Sequence, residues 1–225
     1  TPQIDTPHSR RRVSLADYEF ADLIDQQDKV RLLIDPTSSY AQAAAMAMGR
    51  AMDDVIIAAA TGTAYTGETG ATSESVQTAI AASVGTGTGL NLVKLTTAKR
   101  LLDDADVDPS IPRHIIVGPE QLQNLLAVEQ VTSSDYNTVK ALVQGEIDSY
   151  LGFKFTVSNR LAKSGNDRTC IVYAEDGITL GIGKDISARI DERADKSYAT
   201  QVYYCQSIGA TRMESAKVVP ITCTE

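Results

Sequence analysis

The sequence is short of most residues that chemistry at an active site requires. Its three cysteines, Cys170, Cys205 and Cys223, are odd in number and show no CxxC spacing. Neither a disulfide framework nor a zinc knuckle is implied, and a reducing compartment is the simpler setting. There are two histidines, His8 and His114, and neither GxSxG nor HExxH occurs, which removes the familiar hydrolase and metalloprotease patterns. No apolar run approaches the ~20 residues that cross a bilayer, and the opening TPQIDTPHSRRR lacks a signal-peptide core, so a soluble chain without membrane contact or export signal is expected. Basic charge is scarce: 21 Lys and Arg stand against 29 Asp and Glu, a net charge of -8. Tight coating of nucleic acid, which depends on cations displacing counterions from phosphates, is therefore not expected.

What is present suits a packed fold. With 225 residues, 43% hydrophobic and 22% charged, the chain can bury a substantial core as one domain or two coupled ones. It opens on Thr1 rather than Met, so a processed or trimmed product is expected.

Residues 8–34 alternate imperfectly. Val13 and Leu15 fall on one parity, Tyr18 and Phe20 on the other, which predicts an extended ribbon with a parity change near Ala16 and Asp17. No partner strand is evident downstream, so the missing strand is expected to be lost or supplied by another molecule. The next stretch, DPTSSYAQAAAMAMGRAMDDVIIAAATG, predicts a helix over 36–60, close to 37 Å at ~1.5 Å per residue. Asp35 suits the N-cap, Pro36 the first turn, and Ala, Met and Arg the interior. Its many alanines predict close approach on more than one side, with Met46, Met48 and Met52 filling gaps and Arg50, Asp53 and Asp54 left for solvent or a neighbour.

Residues 61–90, rich in Gly, Thr and Ser, read as a loop with a helical turn or two at 76–84. Asn91 can cap a helix whose Leu95, Ala98, Leu101, Leu102 and Ala105 share one face, stopping before Pro109 and Pro112. IIVG followed by PEQLQNLLAV reads as a buried strand turning into a short helix. FKFTV, TCIVYA, ITLGI, ISARI and QVYYCQSIGATRM then read as strands. Helices first and strands later indicate an α+β fold rather than a βαβ repeat.

Three chemistries fit poorly. Asp104, Asp106 and Asp108 match the start of a calcium loop, but Pro109 stands where Gly is needed and Ile115 where Glu is needed. Gly85, Gly87 and Gly89 before the Asn91 helix suggest a phosphate cradle, yet no strand leads into them, the GxGxxG spacing is absent, and Gly183-Lys184 lacks the rest of a P-loop. Cys205 or Cys170 with His114 could pair a thiol with a base, but both cysteines lie in apolar strands where Cys packs as a small hydrophobe. No catalytic, cofactor or metal residues are assigned. Arg10, Arg11 and Arg12 form the one basic cluster, read as a solvated face or as a contact with an acidic surface of a neighbouring subunit, with phosphate contact third. Their joint replacement by Ala is expected to leave the subunit's own fold intact.

The order of parts is a further signal: RRRVSLADYEF, the Ala and Met helix, a Gly/Thr loop, NLVKLTTAKRLLDDADVD, IIVGPEQLQNLL, GEIDSYLGFKFTVSN, TCIVYAEDGITLGIGKDISARIDE and a final strand region ending KVVPI. This order resembles the major capsid proteins of tailed bacteriophages that share the Hong Kong 97 (Johnson) fold, over nearly the whole chain from about Arg10. The resemblance implies an α+β subunit with an extended β loop, a long spine helix, a discontinuous peripheral domain and an axial domain. In these numbers 1–35 would be the returning half of the extended loop and 36–110 the peripheral domain with its spine helix. Residues 111–184 would form the axial domain and 185–225 the return to the peripheral one.

The N-terminal arm and outgoing loop strand of the family would be missing before Thr1. Some relatives cross-link a loop Lys to a neighbour; only Lys29, near the loop base, is available, and no cross-link is expected. The implied function is a non-enzymatic shell protein of the virion, assembled in the host cytoplasm as pentamers and hexamers with scaffolding and portal partners, around double-stranded DNA held without tight binding. Arg10, Arg11, Arg12 and Arg50 are the expected contacts between subunits. Alternatives are a shell-forming nanocompartment protein of the same fold, a small-molecule α/β enzyme using the turn at IIVGPEQ, and an unrelated structural or adhesive domain.

Overall fold

A computed structural model describes residues 9–25, 37–85, 87–127 and 149–225. The chain divides into two compact units, one of Thr1–Arg12, Ile57–Thr179 and Thr211–Glu225, the other of Val13–Ile56 and Leu180–Ala210. No helix among the described residues is long and apolar enough to cross a membrane.

The first unit is built on a six-stranded sheet. Its strands are β5 (Arg113–Val117), β6 (Ser149–Tyr150), β7 (Phe153–Val157), β8 (Lys163–Ser164), β9 (Asp167–Ala174) and β12 (Val218–Thr224). The order is β12-β9-β5-β7-β6 with β8 on β9, and only β5 and β7 run parallel. In the run RHIIV of β5 the consecutive Ile115, Ile116 and Val117 are all buried, so the strand is covered on both faces. In helix α2 (Leu92–Asp104), Leu95, Ala98 and Leu102 are fully buried. Asn91 accepts the Lys94 amide at 2.9 Å and caps it, satisfying one of the free N–H groups at the helix start. Helix α3 (Pro119–Leu126) starts at an extended Gly118 with proline in its first turn and buries Leu125. Phe153, Ile171 and Ile221 close the core. A small second sheet, β1-β3-β4, joins β1 (Arg11–Arg12) to the hairpin β3 (Ala64–Thr66) and β4 (Thr72–Glu74).

The second unit is a three-stranded sheet, β10-β11-β2, with β2 (Ala16–Ile24), β10 (Ile178–Arg193) and β11 (Ala199–Arg212). The outermost residues of β10 and β11 fall in the first unit. β2 pairs antiparallel with β11 without a slip, from Thr200↔Ile24 to Ile208↔Ala16. Even positions of β2 such as Tyr18 and Phe20 are half-buried, while Asp17, Glu19, Ala21 and Leu23 are exposed, the period of a sheet covered on one face. Helix α1 (Thr37–Thr61) contributes Ala44 and Met48 to this unit, and Gln206 donates from Nε2 to the Met48 carbonyl at 3.1 Å. Gly209 lets residues 13–15 cross β11: a Cβ there would stand 2.3 Å from the Ser14 oxygen.

Several expectations change. β2 needs no strand from another molecule, because β11 of the same chain pairs with it; that partner lies some 180 residues away and leaves no local signal. The parity change becomes the interval between β1 and β2, which enter different sheets. Residues 76–84 form no helix; Ile80 instead bridges Ile221 in parallel, and the hairpin β3-β4 stands in the expected loop. ITLGI and ISARI are one continuous strand, and KVVPI begins a strand separate from β11. α1 buries Ala44 and Met48 on one side and, towards its end, Ile57 and Ala60 on the other, while Met46 is 64% exposed. His8, Lys29, Asp35, Pro36 and the rest of 26–34 lie outside the described residues.

Candidate functional site

The residues that could have carried chemistry are used to hold the subunit together. The glycine loop before α2 is not a phosphate cradle but a cage of carbonyls around a buried lysine. Lys94 Nζ donates to Thr88 O at 2.8 Å, Gly89 O at 2.7 Å and Thr222 O at 3.2 Å. Oxygens aimed inward repel an anion, the opposite of what a phosphate needs. Burial pushes the Lys94 pKa below its ordinary value.

The turn at IIVGPEQ is also filled. A Cβ on Gly118 would sit 2.2 Å from Gln121 Oε1, and Gln121 donates to Glu225 Oε1 at 3.1 Å. Glu225 also takes ion pairs from Arg168 and from Lys163, the latter at 2.5 Å, so its carboxylate is held within the chain. Arg168, Lys163 and Gln121 together hold the Glu225 carboxyl down at about 2. A carboxyl lowered in the folded chain stabilises above its unfolded value near 4.5 and loses that contribution as pH falls toward 2. Glu225→Gln should therefore flatten the acid limb of a urea-midpoint titration between about pH 4.5 and 2; an unchanged limb would show that the cluster contributes nothing.

Cys170 and Cys223 lie side by side on β9 and β12, Cys170 raised in pKa by its hydrogen bond to Cys223 and by burial. His114 stacks on Tyr173 with ring centroids 5.4 Å apart. Cys205 meets Lys184 Nζ at 3.0 Å, which lowers its thiol pKa. Of the three aspartates, Asp108 accepts the Ser110 amide at 2.8 Å as a turn residue, and Asp106 adopts φ 55°. Among the described residues no group of three or more His, Cys, Asp or Glu could hold a metal ion.

The expected contact arginines separate into two pairs. Arg11 forms an ion pair with Glu74 at 2.9 Å and donates to Met213 O at 2.5 Å. The Arg12 guanidinium lies over the Tyr65 ring, 5.5 Å from its centre. Both are tied into the first unit, so joint removal of the three is expected to loosen the β1-β3-β4 sheet as well as any contact outside it. Arg10 and Arg50 are exposed.

The largest anchor was not marked by sequence. Arg212, 1% exposed, donates from Nη1 to Ala60 O at 3.1 Å and Gly62 O at 2.8 Å, from Nη2 to Glu74 O at 2.9 Å and from Nε to Ser215 Oγ at 3.2 Å. It satisfies the carbonyls at the end of α1, which that helix cannot satisfy itself. Several large apolar residues also stay at the surface: Tyr40, Met46, Leu23, Ile182, Ile186 and Ile190 are 39 to 64% exposed.

Large apolar residues left at the surface suit a subunit that meets other proteins. A family model of phage capsid proteins matches residues 1–225, and the chain belongs to the phage capsid protein family: it is a major capsid protein of the phage shell, not an enzyme. Solved structures agree in fold. A Mycobacterium phage Che8 chain superposes with TM-score 0.63 at 19% identity, covering 92% of this chain and 70% of that one. The capsid of cyanophage P-SCSP1u gives 0.68 at 13%, covering 93% and 72%. The acid-stable capsid of Helicobacter pylori bacteriophage KHP30 gives 0.69 at 10%, covering 95% and 76%. Among curated proteins none matches it in sequence. The fold is thus the Hong Kong 97-type α+β capsid fold.

Proposed function

We propose that many copies of this chain close an icosahedral shell around the double-stranded DNA of a tailed phage, with the first unit acting as axial domain and the second as peripheral domain. Pentamers and hexamers would gather around the axial units, and ribbons led by β2 would lie across adjacent copies. Repeated heterologous contacts then set curvature, and weak contacts add through multivalency. Scaffolding and portal proteins are the further partners of this reading, with assembly in the host cytoplasm. The chain's net charge of -8 suits a wall that confines DNA without gripping it.

The observation that supports it best is a pair of complementary uncovered rows in the second unit. On β2 the exposed row is Asp17, Glu19, Ala21 and Leu23; on α1 it is Tyr40, Ala43, Met46 and Arg50, spaced for one helix face. An acidic row ending in Leu fits a basic row with Met and Tyr. Negative-stain microscopy and sedimentation of the purified protein, with and without scaffold, should show closed particles of megadalton mass. A stable monomer under every condition would overturn the reading. Arg50→Glu combined with Arg10→Ala should lower particle yield roughly tenfold with the melting temperature unchanged; unchanged yield would remove these two arginines from the contact.

A further inference from the structure

We infer that the outer row of β10 is a contact between copies of this chain, in which Ile182, Ile186 and Ile190 pack against the same row of a second subunit. This rests on the shell reading above and adds a surface to it. Among the described residues β10 pairs only with β11, so its other edge is open. The three isoleucines fall every fourth residue, on one parity, and are 53%, 39% and 49% exposed. They span ~26 Å along the strand. Between them Lys184 and Ala188 share their parity, and Gly183, Asp185, Ser187 and Arg189 take the other. From Ile182 to Arg193 only Ser187 is even partly covered, so within its own subunit the row of three β-branched apolar residues is left open.

The occupant follows from charge. Residues 184–196 hold four cations, Lys184, Arg189, Arg193 and Lys196, and four anions, Asp185, Asp191, Glu192 and Asp195. The segment is neutral, so the whole net charge of -8 lies outside it. Two copies of an acidic chain repel wherever like surfaces meet, as the row led by Asp17 and Glu19 on β2 would. They approach without that penalty where a neutral strip carries both signs around an apolar row. Open strand edges are normally blunted by charge against indiscriminate pairing; here the charges are balanced, which permits pairing with a matching strip and discourages others.

The test uses the whole chain. Ile182, Ile186 and Ile190 replaced together by Thr keep the β-branched shape that strands favour while removing most of the apolar face. Particle yield by sedimentation should fall roughly tenfold or more, because a small loss per contact multiplies over a shell, while circular dichroism and melting of the unassembled subunit stay as in wild type. In a Cys205→Ser background, Ile186→Cys treated with a short bis-maleimide should give covalent dimers from assembled particles and none from dilute subunits. Wild-type yield from the triple variant, or particles of the cysteine variant that give no dimer, would overturn the contact. If the wild-type chain itself never assembles, the shell reading falls and this contact with it.

Discussion

Replacing Arg212 by Met should lower the unfolding free energy of the subunit by about 3–5 kcal/mol and leave too little folded protein to assemble. The guanidinium serves Ala60 O, Gly62 O, Glu74 O and Ser215 Oγ at 2.8 to 3.2 Å. Methionine fills much of the volume but donates nothing, so these acceptors stay dry and unpaired, each at about 1–3 kcal/mol before relaxation. Relaxation is limited, because the acceptors belong to three segments: the end of α1, strand β4 and the turn after β11. Arg212→Lys should recover only part of the loss, since one ammonium cannot match the planar fork that reaches Gly62 and Glu74 together. Urea unfolding of the three proteins checks this; a loss below about 1 kcal/mol for Met would mean that water replaces the fork.

The division between what was legible in the sequence and what was not follows sequence distance. Asn91, Leu95, Ala98 and Leu102 mark α2 because cap and face are set within a few residues. Gly118 and Pro119 mark α3 in the same way. The pairing of β2 with β11 is equally regular, yet nothing near Ala16 names a partner around Thr200. Arg212 sits at the end of an apolar strand as an ordinary charge, and its acceptors are backbone atoms, which have no letter in the sequence. Lys94 was hidden likewise: helical spacing placed it beside Leu95 and gave no hint that a loop closes over it.

The candidate surfaces show the opposite limit. The alanine and methionine helix was expected to be covered on several sides, and a single subunit covers Ala44 and Met48 on one side and Ile57 and Ala60 on another, yet leaves Met46 exposed. The sequence records the demand of every neighbour a residue meets, whereas one copy contains only some of them. Apolar residues that composition would bury and the subunit leaves outside, such as Met46 and Ile186, are where contacts with other copies belong.

Lys94→Met should cost about 2–4 kcal/mol for the reason that applies to Arg212, with a pH signature of its own. Lys94 is fully buried, and its ammonium holds Thr88 O, Gly89 O and Thr222 O, fastening the glycine loop to β12. Desolvation lowers its folded pKa below the ordinary 10.5. Between the folded value and 10.5 the unfolded chain therefore binds more protons, so this group makes the wild type more stable as pH rises through that window. Cys223, whose thiol is lowered first by its bond to Cys170 and then by Lys94, acts in the same direction, gaining stability up to its unfolded value near 9. Cys170, raised by its hydrogen bond to Cys223 and by burial, works against both above its ordinary value near 9, and does so in the variant as well as in wild type. The stability gap between wild type and Lys94→Met should therefore widen from pH 7 to pH 10. A constant gap would mean that Lys94 titrates as in water and that the carbonyl cage opens in solution; a gap that narrows would reverse the sign assigned to its burial.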